Sequence, residues 1–279
     1  MADTAFQIQY RDEFVAGFED MQSRLRSTTV MEVMVKGNQA TFLVADSGQA
    51  TAVTRGVNGL IPARADTLSQ PVAALSEWHD LVRKTGFNVF ASQGDQNRIM
   101  QQTSMAVINR KIDDDIISQL DLAPYDTGAA TTASLDLVIK AQVILGNFFV
   151  DLSDEDNLFA VVTPAFNGYM MQVREFASAD YVDVKPFVGP TLRVKRFAGF
   201  NWVVHPRLTG TGTVSEKCYF YHRNAIGHAV DKERLQSTVG YDDEQDYSWA
   251  RVSAYMGSKL LQQTGVVQVL HDGSRYVAT

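Results

Sequence analysis

Residues 94–121 read GDQNRIMQQTSMAVINRKIDDDIISQLD. Within this stretch Met105, Ile108, Ile112, Ile116 and Leu120 recur at spacings of 3, 4, 4 and 4, which lines them along one face of an α-helix. No glycine or proline interrupts the run beyond Gly94, and Pro124 stands just past its end. The spacing therefore predicts a single helix stopped by proline. At 1.5 Å per residue it spans about 40 Å, longer than most helices in a compact domain need to be. Asp113, Asp114 and Asp115 sit in its second half. Consecutive helical side chains point ~100° apart and cannot share one metal, so the three carboxylates are read as the helix's solvated face.

Upstream, Phe14, Phe18, Met21 and Leu25 fall at spacings of 4, 3 and 4, the pattern of a short amphipathic helix that must bury its stripe against another surface. From residue 30 to 44 the period changes to two, and Gly37-Asn38 between the apolar runs is a hairpin turn signal. Residues 46–70 contain Gly48, Gly56, Gly59 and Pro62 with many Thr and Ala, and no sustained apolar period. A stretch of that length without its own core is read as disordered or as a functional excursion that gains order from a partner.

Downstream, residues 134–149 are apolar almost all round and predict a largely buried helix. Residues 157–163 and 217–222 read as buried strands, the first ended by Pro164 with a short helix through Tyr169, Met170 and Val173. Trp249, Arg251, Ser253 and Tyr255 alternate with Ala250, Val252, Ala254 and Met256 in another strand, and 265–270 form a last one. Helices and strands interleave without regular βαβ repetition, so the class is α+β.

The chain has 279 residues, 45% hydrophobic and 20% charged, enough to bury about 75% of its unfolded surface without disulfide or metal. The single cysteine, Cys218, excludes an internal disulfide and fits a reducing compartment. No apolar run approaches the ~20 residues of a membrane helix, and no signal-peptide pattern opens the sequence, so a soluble intracellular protein is expected. The net charge of −7 is spread over both halves, unlike the basic arm of a nucleic-acid binder. Lys185, Arg193, Lys195, Arg196, Arg207, Lys217 and Arg223 form a local basic exception, read as a solvated face or as ion-pair partners.

The search for chemistry returns weak signals. Gly210-Thr-Gly212 lacks the third glycine of a dinucleotide fingerprint and precedes a strand, so it is read as a turn. Cys218 sits inside an aromatic strand, the setting of a small core residue. Cys218, His222, His228 and Asp231 are zinc-type ligands, but their spacing matches no compact ligand pair. No catalytic, cofactor-binding or metal residues are assigned, and no cofactor is expected. A small metal-dependent hydrolase built on those four residues stays as the least favoured alternative.

The order of elements resembles something specific. An amphipathic arm leads into a hairpin and a loop containing Gly59-Leu-Ile-Pro62, then the long helix. Val161-Val-Thr-Pro164, Ala177-Ser-Ala-Asp-Tyr181 and Gly199-Phe-Asn-Trp-Val203 follow. Lys217-Cys-Tyr-Phe-Tyr-His-Arg-Asn-Ala-Ile-Gly227, Tyr255-Met-Gly-Ser-Lys-Leu-Leu261 and Thr264-Gly-Val-Val-Gln-Val269 complete the set. The whole resembles the major capsid proteins of tailed bacteriophages, with the Hong Kong 97 fold.

That resemblance implies an N-terminal arm with first strands (1–40), an extended loop (41–80), a peripheral domain with a spine helix (81–128 and 247–279) and an axial domain (129–246). It implies a non-enzymatic protein whose copies form hexamers and pentamers of an icosahedral shell around double-stranded DNA, without sequence-specific binding or membrane contact. Assembly would take place in the bacterial host cytoplasm, with a portal, possible decoration proteins and the virion capsid as final location. Barely 30 residues precede the first strand pattern, so scaffolding is expected from a separate chain. Residues 46–70 hold no lysine, so assembly is expected to be non-covalent. Subunit contacts are expected at Phe14, Phe18, Asp46, Arg55, Arg64, Asp66, Glu77 and Trp78. An encapsulin-like nanocompartment shares the implied fold and is the other alternative.

Overall fold

The computed structural model describes residues 22–32, 35, 37–47, 49–64, 67–91, 96–173, 196–231 and 236–276. In chain order the elements are β1 (Val30–Glu32), β2 (Gln39–Thr41), β3 (Val44–Asp46), β4 (Thr67–Ser69), β5 (Val72–Ala74), β6 (Ser76–Thr85), α1 (Gly86–Ala91) and α2 (Gln96–Leu120). They continue with α3 (Leu135–Asn147), β7 (Leu158–Val162), α4 (Pro164–Met170), β8 (Arg196–Phe197), β9 (Phe200–Val204), β10 (Glu216–His222), β11 (Ile226–Val230), β12 (Gln236–Asp242), β13 (Tyr247–Leu260) and β14 (Val266–His271). The fold is α+β, as expected.

Two sheets and the long helix form the body. One sheet has the order β14-β10-β7-β9-β8, and β10 shows why it lies at the centre. Cys218 and Phe220 enter a core with α3, α4 and Trp202, while Tyr219 and Tyr221 enter a second core with α2. Both faces of the strand are buried, which is why its sequence is a continuous apolar run rather than an alternation. Full burial of each aromatic side chain contributes roughly 1.5–3 kcal/mol.

The second sheet is organised by β13, which pairs with β6 along one edge and with β12 and β11 along the other. Ala250, Val252, Ala254 and Met256 are fully buried, and the last three share a core with Ile108, Ile112, Ile116 and Leu120 of α2. These are the faces that the two periods predict. The open carbonyls at the end of α2 are capped by Gln268, whose amide nitrogen lies 2.9 Å from the carbonyl oxygens of both Asp121 and Ala123.

Several expectations change. Among the described residues the 30–44 hairpin does not form: β1 pairs in parallel with β11, and β2 pairs with β5. Gly37 supplies the bend with φ +86°, but both flanking strands find long-range partners. Helix α3 is less buried than expected, leaving Ile139 and Val143 exposed. Asp113 is buried, not solvated. Strands β11 and β12 join the β13 sheet and β14 joins the β10 sheet, so strand pairing links residues on both sides of 246/247.

Candidate assembly interface

The segment between β2 and β5 leaves the body as a two-stranded arm. β2 pairs with β5 and, further out, β3 with β4. Its root is fixed by close packing: Ala40, Phe42 and Ala73 are buried together with Ala229 of β11. Gly227 admits the Phe42 ring where a Cβ would lie 2.7 Å from it, and a Cβ on Gly257 would lie 2.1 Å from the Ala74 carbonyl oxygen. The arm therefore rests directly on the sheet, by the Phe42 ring on β11 and by its backbone on β13.

Beyond the ladder, residues 49–64 are exposed throughout. Their end turns at Gly56–Gly59, where the Gly59 amide donates to the Gly56 carbonyl at 2.8 Å and Gly59 takes φ +70°. Val53, Val57, Leu60 and Ile61 all stand in solvent there. Single exposed apolar residues are ordinary, but four at the end of a projecting arm mark an interaction surface.

The expected contact residues separate into groups. Asp46 ends β3, and Arg55 and Arg64 lie in the exposed segment. Phe14, Phe18 and Asp66 lie outside the described residues. Glu77 and Trp78 belong to β6, apart from the tip. Glu77 accepts from the Tyr255 hydroxyl at 2.9 Å and meets His79 Nε2 at 2.7 Å. Trp78 faces α2, with Lys111 Nζ 4.0 Å from its ring centroid.

A second anchored segment is one that sequence reasoning missed. Asp113, 4% exposed, accepts from Ser23 Oγ at 2.5 Å and from the amides of Arg24 and Leu25, each at 3.1 Å. His205 Nε2 lies 3.3 Å away. Burial raises the Asp113 pKa, but the hydrogen bonds from His205, Ser23, Arg24 and Leu25 outweigh it and hold the carboxyl below its ordinary value. Leu25 is then buried against α2, and the Thr28 hydroxyl reaches the Leu25 carbonyl at 2.7 Å and the Tyr221 hydroxyl at 2.5 Å. The chain that follows residues 1–21 is thus pinned to the long helix.

The other charged groups have local partners. Arg196 bridges Glu155 and Asp156, Arg207 pairs with Asp114, and Lys217 with Asp121. Arg223 donates to the Thr29 carbonyl. This matches the ion-pair reading of the basic stretch for Arg196, Arg207 and Lys217; Lys185, Arg193 and Lys195 lie outside the described residues.

The four zinc-type residues do not converge on one site. Cys218 lies in the core, its Sγ 3.8 Å from His271 Nδ1, and burial pushes its thiol up to about 12. His222 faces Asp154 at 3.7 Å. His228 is buried against Ser258, its pKa lowered to about 4 by burial and then by Arg26. Among the described residues no group of three or more His, Cys, Asp and Glu side chains is placed to hold a metal ion. Nor does any described helix have the length and apolarity to cross a membrane.

Residues 2–273 match the family model described as phage capsid protein. Among solved structures, the fold is similar to the capsid of cyanophage P-SCSP1u, with TM-score 0.73, 10% identity, and coverage of 96% of this chain and 93% of that one. It is also similar to the capsid of Ralstonia phage GP4, with TM-score 0.70, 12% identity, and coverage of 99% and 98%. Mycobacterium phage Che8 gives TM-score 0.69 at 14% identity, covering 96% and 98%. Among curated proteins no relative matches the chain.

Proposed function

The chain belongs to the phage capsid protein family, and from that premise we propose how its parts build the shell of which it is the major capsid protein. The observation that carries the proposal is the arm whose tip, residues 49–64, is exposed throughout while its root is packed tightly on the body. Rigid attachment with an uncovered apolar end is what a contact with another subunit requires. Burying such side chains yields roughly 25 cal/mol per Å² of apolar surface.

In this reading Asp46, Arg55, Arg64 and Asp66 make the loop's charged contacts, which set register more than affinity. Phe14 and Phe18 serve the arm that precedes the Asp113 anchor. Glu77 and Trp78 support the sheet that receives neighbours. The α2, β6, β12 and β13 layer forms the peripheral domain, and α3, α4 and the β14-β10-β7-β9-β8 sheet form the axial domain. Copies associate non-covalently as hexamers and pentamers, aided by a separate scaffolding chain, with a portal and, where present, decoration proteins. The shell encloses double-stranded DNA without reading its sequence, and assembly takes place in the host cytoplasm. Many modest repeated contacts then give a very stable closed particle.

Sedimentation velocity of the purified chain, alone and with its scaffolding partner, tests this. Uniform fast-sedimenting particles that appear as closed shells by negative-stain microscopy are expected. A chain that stays monomeric with its scaffold present refutes the proposal.

A further inference from the structure

The loop's tip and the far end of the β13 sheet complement each other in two independent properties. The tip combines exposed Val53, Val57, Leu60 and Ile61 with Arg55 and Arg64, and residues 49–64 contain no carboxylate. The turn joining β12 to β13 carries Asp242, Asp243, Glu244 and Asp246 within five residues. Around it stand exposed apolar side chains, Phe87 on α1 and Val239 and Tyr241 on β12. One surface is apolar and cationic, and the other is apolar and anionic.

The turn is also a preformed surface. The Asp242 carboxylate accepts from the amides of Glu244 and Gln245 at 3.0 and 3.1 Å, and Asp246 accepts from the Tyr241 hydroxyl. The Gly86 amide donates to the Asp246 carbonyl at 3.0 Å, tying the turn to the start of α1. With Asp242 and Asp246 occupied in holding the turn, Asp243 and Glu244 remain exposed at its apex.

The root of the loop and the β12–β13 turn lie at opposite ends of one strand. The root of the loop touches Gly257, whereas the turn adjoins Tyr247, ten residues away and so about 33 Å along β13. In this chain Val57 stands fully in solvent, so its own turn does not cover it.

We propose that the loop tip of one copy seats on the β12–β13 turn of a second copy, Arg55 against Asp243 and Glu244, with the tip's aliphatic residues over Phe87 and Tyr241. The inference rests on the shell reading above and specifies which surface receives the loop. Donor and acceptor surfaces differ, so the contact is heterologous. Each copy gives its tip to the next and receives one from the last, and a repeated contact of this kind forms a ring where the rotation between copies closes.

Charge exchange tests the pairing in the full chain assembled with its scaffold. Arg55→Glu alone, and Asp243→Lys with Glu244→Lys, each bring like charges together and reduce shell yield about tenfold. Combining the three changes restores opposite charges and returns yield to within about threefold of the parent chain. A combined variant no better than either parent variant overturns the pairing, as does unchanged yield in either one. Failure of the unsubstituted chain to form shells instead overturns the shell reading itself. A second readout does not depend on yield. Shells carrying both Val57→Cys and Phe87→Cys, treated with a short bismaleimide, give a ladder of linked subunits on a denaturing gel, since native Cys218 is buried. Links confined within single chains, or none, overturn the proposal.

Discussion

Replacing Asp113 with Ala is expected to release the segment that begins at Ser23. The carboxylate receives four hydrogen bonds, two from backbone amides that have no side-chain freedom to find another acceptor. A buried donor left without a partner costs about 1–3 kcal/mol. The Leu25 amide is buried and the Arg24 amide and Ser23 hydroxyl are partly so. Together they place the loss at about 3–5 kcal/mol, a large part of the ~5–15 kcal/mol that holds a typical domain folded. Asp113→Asn keeps one acceptor oxygen and should lose about half as much. The pH dependence has a definite sign. The folded-state pKa of Asp113 is lowered, so its contribution is complete above the ordinary aspartate value of ~3.9 and disappears as pH falls through the lower folded value. Urea unfolding of the unassembled subunit, followed by tryptophan fluorescence, gives the loss, and hydrogen exchange at the Leu25 amide locates it. An Asp113→Ala protein within ~0.5 kcal/mol of the parent, with Leu25 still protected, would show that the anchor does not hold the segment.

Other consequences follow from single contacts. Gln268→Leu removes the cap on the last turn of α2 and should lower stability by about 1–3 kcal/mol, measured by the same unfolding curve. Gly227→Val places side-chain atoms where the Phe42 ring now lies; overpacking of about 1–3 kcal/mol should unseat the loop root and speed limited proteolysis within residues 49–64. Cys218, buried and with its thiol pushed up to about 12, should resist thiol reagents at pH 8 until denaturant is added. Assembled particles boiled in detergent should run as a single monomer band, because residues 46–70 contain no lysine to crosslink through.

The parts legible in the sequence are those where one period dominates. The stripe from Met105 to Leu120 and the alternation from Ala250 to Met256 both mark buried faces because each packs on a single partner. The loop was legible by its glycines and its lack of any period. β6 was not, because its helix-facing side carries Asp80 and Lys84 beside Trp78 and Val82, so neither face reads as apolar. The 30–44 hairpin misled because Gly37 signals a bend without saying which strand each arm will join. Asp113 was hidden for a related reason: two of its partners are backbone amides nearly ninety residues earlier, and an amide leaves no mark in a residue pattern. Arg55 and Arg64 could be singled out as charges on a coreless stretch. The surface opposite them emerged only when folding brought Phe87 beside the 242–246 turn.

Cryo-electron microscopy of particles assembled from this chain tests the central claim most directly. An icosahedral shell is expected, with residues 49–64 of each copy covered by a neighbouring copy and Val57 no longer in solvent. A closed shell in which that segment stays uncovered, or a chain that forms no shell with its scaffold, would contradict the account.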